Sequence, residues 1–260
     1  MAAGIPKEKS VEYIEMFAEM LSTGATLDDI SYRRFLREIE QITSPFSATA
    51  LGLLYAVAGK FEKSNAAFVE ASKEYDDVSI PYNHLVTLRL TWQDHLLKDS
   101  SYEYADRYES KRLTSLAFSY AYRFGDRDGL VRYMDRHIRL LSNEEGRELA
   151  EKHKEELLLE LDDAYCSSGC TQQQFETLAL IIGRIAKEFN AELGLVEVSR
   201  RGNCCYVADI KNKDPRTIAE MNYALAEAVC DEPLLDDCNL IGRFSPQREL
   251  HVGMTYVYQQ

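Results

Sequence analysis

The chain lacks a long apolar run: no stretch approaches the ~20 residues that cross a bilayer, so we expect no membrane-spanning segment. Its first residues, MAAGIPKEKSVEYIEMF, carry charges where a secretory signal needs an apolar centre, from which we expect a cytoplasmic protein. Positive charge is also scarce. The 30 Lys and Arg stand against 43 Asp and Glu, a formal net charge of −13. That balance disfavours a surface built to neutralise nucleic-acid phosphates, although it leaves room for a local patch. Cysteine is missing until Cys166, after which come Cys170, Cys204, Cys205, Cys230 and Cys238. Without a secretory signal these read as reduced thiols rather than a disulfide framework.

Catalytic signatures are missing too. There is no G-x-S-x-G elbow, no H-E-x-x-H, no Walker loop and no glycine fingerprint for a dinucleotide. The five histidines, His84, His95, His137, His153 and His251, are scattered, and four fall on predicted helices. A zinc site could combine Cys166-x3-Cys170 with Cys204, Cys205, Cys230 or Cys238. The spacing matches no structural zinc knuckle, however, and adjacent residues on a strand point to opposite faces, so Cys204 and Cys205 can hardly share one ion. We therefore assign no catalytic residue, cofactor or metal.

What the 260 residues do contain is helical periodicity, in a composition that is 45% hydrophobic and 28% charged. Val11, Ile14, Phe17, Ala18 and Leu21 mark a first amphipathic helix ending near Gly24. Ile30, Phe35, Leu36, Ile39 and Ile42 mark a second, after Thr26. A hairpin follows over Pro45–Val57 and Phe61–Tyr75. The pattern predicts a helix from Pro81 to Leu96 ending in the polar run Lys98–Ser101, a helix from Tyr104 to Phe124, and another from Asp126 to Leu141 after Gly125. Asn143 is the expected cap of a helix reaching Tyr165, and the last of the nine spans Gln172–Phe189.

After Asn190 the period changes. Leu193–Arg200 and Cys204–Ile210 read as a β-hairpin, Asp214-Pro215 as the start of a helix, and Leu240–Phe244 and Leu250–Tyr258 as two more strands. The expectation is a mainly α protein: an α-solenoid or irregular helical bundle over residues 1–190, then a small α+β (ββαββ) domain over 191–260.

The sharpest motif is PFSATALGLLYAVAGKFEKSNAAFVEASKEYD, residues 45–76. Leu51, Gly52 and Tyr55 on its first helix, Gly59 and Phe61 at its turn, and Phe68 and Ala71 on its second resemble a tetratricopeptide repeat. Ser64 and Asp76 depart from that pattern, and residues 111–141 keep only Ala117, Tyr120, Gly125 and Leu130 of it. The resemblance implies a protein-binding groove whose inner surface carries Phe46, Thr49, Leu53 and Ala56. It lacks the Lys and Asn of repeats that clamp a C-terminal carboxylate, so the implied partner is an apolar helix or extended segment. The competing reading packs these four residues against the preceding helix.

Arg132, Arg136 and Arg139 form a second candidate partner-binding face, one stripe of a helix with His137 beside it and Arg123 nearby in sequence. Alternatively the stripe packs against the acidic helix carrying Glu144, Glu145, Glu148, Glu151, Glu155 and Glu156. Tyr102, Tyr104, Tyr108, Tyr120, Tyr122 and Tyr133, drawn from 16 tyrosines, suit helix–helix contacts or an interface.

Together these features favour a regulatory or adaptor protein that grips a protein partner, one version being an acidic protein that masks a basic surface. The C-terminal module would be a second recognition surface, a homodimerisation unit or a cap on the solenoid. The rival is a nucleotide- or phosphate-binding module or enzyme in that tail, using Arg243, Arg248 and His251.

Overall fold

The computed structural model describes residues 9–42, 44–198 and 203–248. It is mainly helical, with a small sheet towards the C-terminus, as the periodicity predicts. Two compact units divide the chain, one to Ser100 and one from Ser101 onward.

The first unit contains α1 (Lys9–Thr23), α2 (Asp29–Ile39), α3 (Pro45–Val57), α4 (Phe61–Glu74) and α5 (Ser79–Leu90). Capping sets the boundaries. Asp28 accepts hydrogen bonds from the Ile30 and Ser31 amides, and Ser44 forms a capping box with Ser47 ahead of Pro45. α3 is the centre of the unit. Ala50, Leu53, Leu54 and Val57 join Tyr13, Phe17, Ile39, Phe68, Ala71 and Ile80 in one apolar core.

The α3–α4 hairpin follows its residues closely. Gly59 adopts a left-handed φ of 69° at the turn. A Cβ on Gly52 would lie 2.5 Å from the Phe68 ring, so only glycine permits that approach. The Ser64 hydroxyl donates to the Gly52 carbonyl at 2.8 Å, which gives the departure from the repeat pattern a function in packing. Phe68 is fully buried between the helices, whereas Phe61 at the turn is 39% exposed.

α6 (Asp94–Arg107) crosses from one unit into the other. Its presence is a second correction. Trp92, with φ of 59°, ends α5 where the sequence suggests a helix continuing to Leu96. The run Lys98–Ser101 then lies inside a helix, because Leu97, Ser101, Tyr104 and Ala105 make a buried stripe at helical spacing. A further break follows at Ser110, whose side chain accepts from the Leu113 amide and starts a new helix.

The rest of the second unit comprises α7 (Lys111–Arg123), α8 (Arg127–Leu140), α9 (Arg147–Ser168), α10 (Gln172–Glu188), β1 (Leu193–Val198), β2 (Cys205–Ile210), α11 (Pro215–Cys230), a short 3-10 turn (Pro233–Leu235) and β3 (Ile241–Pro246). α7 and α8 pack as a hairpin around Gly125, at φ of 71°. α9 begins from Gly146 rather than from a cap at Asn143. Five of the six central tyrosines are buried, Tyr102 being the exception.

The sheet has the order β1-β2-β3, with β1 antiparallel and β3 parallel to β2. α11, capped by Asp214 with Pro215 at its first turn, makes the crossover that a parallel pair requires. One sheet face packs on α10: a Cβ on Gly242 would meet Leu178 at 2.9 Å, and Phe175 stacks edge-on against Tyr206. The Asn222 amide on α11 both donates to the Phe244 carbonyl and accepts from its amide, satisfying backbone groups of β3. The helices and the sheet are tied together. The Val198 amide donates to the Tyr122 hydroxyl at 2.9 Å, and the Tyr206 hydroxyl donates to the Arg123 carbonyl at 3.1 Å. The boundary expected at 190/191 falls inside this unit. The expected fourth strand, Leu250–Tyr258, lies outside the described residues.

Candidate functional site

The proposed groove residues separate on the structure. Thr49, Leu53 and Ala56 are buried, Leu53 in the core it shares with Tyr13 and Phe17, so no partner reaches them in this fold. Phe46, at 40% exposure, is the one that faces solvent. The cause is geometric. α1 packs along α3, and the surface that a regular repeat array would leave concave is already occupied by this contact. The apolar groove is therefore corrected to a filled helix interface.

The arginine stripe is also internally committed. Arg132 and Arg136 on α8 both bind the Asp106 carboxylate on α6, at 2.7 and 2.5 Å. The acidic helix α9 is joined to α8 by other groups: Lys154 pairs with Asp135 at 2.7 Å, and Arg147 donates to the Ile138 and Arg139 carbonyls. The counter-charge for the stripe is thus on α6, two helices earlier, not on the helix after. Arg139 stays exposed, with its Nε donating to the Asp135 carbonyl. His137 is buried beneath the stripe, at 3.1 Å from the Thr114 hydroxyl, and burial holds its pKa below the ordinary histidine value.

In the tail, Arg248 is engaged by two carboxylates. Its Nε donates to the buried Asp209 at 2.7 Å and its Nη1 to Glu197 at 2.6 Å. A phosphate there would have to displace both. Arg243 is exposed on β3, and His251 lies outside the described residues. No three or more His, Cys, Asp or Glu side chains are grouped to hold a metal ion among the described residues. No helix among them is long and apolar enough to cross a membrane.

A different surface stands out on α9. Ala150, Leu157, Leu161, Ala164 and Ser168 form its buried face. Leu159 projects from the opposite side and is 69% exposed, and Leu149 is 47% exposed. Around them lie Glu148, Glu151, Glu155 and Glu156, all exposed and none in an ion pair among the described residues. Sequence reasoning identified the acidic side chains and overlooked the two leucines. The available signal was phase: at 100° per residue, Leu159 lies across the helix from Leu157 and Leu161.

The chain matches no family model, no curated protein and no solved structure.

Proposed function

We propose that this protein is an interaction module of regulatory or adaptor type, which binds a protein partner through the outer face of α9. The observation that carries the reading is Leu159, a large apolar side chain held in water on an acidic, well-packed helix. An isolated exposed leucine needs no explanation. Here it is bracketed one turn away on either side by Glu155 and Asp163, with Glu156 adjacent, in a protein of net charge −13. The complement is a basic amphipathic segment: apolar side chains over Leu149 and Leu159, with Lys or Arg reaching the glutamates. Such a pairing gains association rate from charge and affinity from the central apolar contact.

The test compares three versions of the protein as baits in parallel capture from native lysate. These are the natural chain, Leu159→Asp, and Ile30→Asp as a control at another exposed apolar position. A basic protein should be held by the natural chain and by Ile30→Asp, and lost by about tenfold or more with Leu159→Asp. Equal recovery with all three, while circular dichroism shows each folded, would count against this surface. Raising the salt should weaken the specific capture, because the flanking charges are exposed.

A further inference from the structure

The segment leading into β3 is stapled to the α9–α10 turn at two points. Gln174 in the first turn of α10 donates from Nε2 to the Leu234 carbonyl at 3.0 Å. Asn239 donates from Nδ2 to the Ser168 carbonyl at 3.3 Å. Between these points the Cys170 thiol of the turn lies close enough to the Cys238 thiol of the segment for the two to interact. Both are reduced, with Cys170 buried and Cys238 partly exposed. Each backbone is fixed locally: the Cys170 amide donates to the Ser168 hydroxyl, and the Cys238 amide to the Leu235 carbonyl.

We propose that Cys170 and Cys238 form a thiol–disulfide modification site, which closes reversibly on exposure to an oxidised low-molecular-weight thiol such as glutathione disulfide. The Cys238 thiolate attacks one sulfur of the reagent, so its S–S bond breaks, a glutathione thiolate leaves, and Cys238 carries glutathione. The Cys170 thiolate then attacks the Cys238 sulfur and expels the second glutathione. The pair loses two electrons and two protons, and one glutathione disulfide becomes two glutathione thiols. Order follows from access. Cys238 meets the reagent, while burial keeps Cys170 from it and pushes its thiol pKa up, so that Cys170 acts only on a mixed disulfide brought beside it. Closure therefore accelerates as pH rises into the alkaline range. The product fastens the β3 lead-in covalently to the α9–α10 turn, where two hydrogen bonds hold it in the reduced state.

The experiment treats the reduced full chain with glutathione disulfide, quenches by alkylation and maps peptides without reduction. Cys166 and Cys230 are exposed competitors, so the Cys166→Ser/Cys230→Ser variant is mapped beside the natural chain. Expected is a Cys170–Cys238 cross-link, two hydrogens lighter than the dithiol and reversed by dithiothreitol, in both proteins. Fragment spectra showing Cys166 joined to Cys170 would overturn the proposal. So would glutathione persisting on Cys238 while Cys170 remains open to alkylation, or both thiols surviving under conditions that label Cys166. The natural chain decides the matter even if the variant folds poorly.

Discussion

The Phe68 ring occupies the space in which a side chain on Gly52 would begin. Alanine in place of glycine within a helix ordinarily stabilises by about 1 kcal/mol. At this position the added methyl meets a fully buried ring at 2.5 Å, and overpacking of that kind costs about 1–3 kcal/mol. Gly52→Ala should therefore destabilise the protein by about 1–2 kcal/mol in urea unfolding. In a Phe68→Leu background, with its obstacle reduced, the same change should be neutral to stabilising by up to about 1 kcal/mol.

Asp209, with its side chain 1% exposed, pairs with Arg248 at 2.7 Å. Removing one member leaves the other charge poorly solvated, and breaking such a pair costs about 3–5 kcal/mol when it is fully buried. Arg248 keeps some contact with solvent, so we predict that Asp209→Ala lowers stability by about 3 kcal/mol. Glu197→Gln, which leaves the Asp209 contact in place, should cost about 1 kcal/mol or less. Chemical denaturation of the two variants checks the ranking.

His84 is stacked on Phe68 at 5.0 Å, and burial lowers its pKa to about 4. The folded protein then resists a proton that the unfolded chain accepts near the ordinary value of about 6.5. The contribution is full above that value and is lost as pH falls from 6.5 through 4. The loss from this group amounts to about 3 kcal/mol. His137 and His153, also lowered by burial, add in the same direction. Unfolding at pH 7 and pH 5 should show the decline, and His84→Phe should flatten it.

The residues legible in the sequence were those with local causes. Gly59, Asp214 and Pro215 act through backbone geometry within a few positions, and each behaves as its type predicts. Boundaries set by burial were harder. The Lys98–Ser101 run looks polar, yet α6 continues through it because Leu97 and Tyr104 share a buried face. Partner identity was harder still. Nothing local assigns Arg132 and Arg136 to Asp106, some 26 to 30 residues away. Cys170 and Cys238 approach each other only through the packing of β3's lead-in on the α9–α10 turn. Along Leu157-Leu158-Leu159 composition cannot choose the outward residue, while helix phase and packing on α8 do.

The central claim is that a partner docks over Leu159, and a photo-activated cross-linking amino acid placed there tests it most directly. Illumination of the folded chain in its native lysate should yield a discrete adduct with a basic protein, and the same probe at Ile30 should not. If position 159 gives no adduct above that control while the partner still co-purifies, the outer face of α9 is not the binding surface.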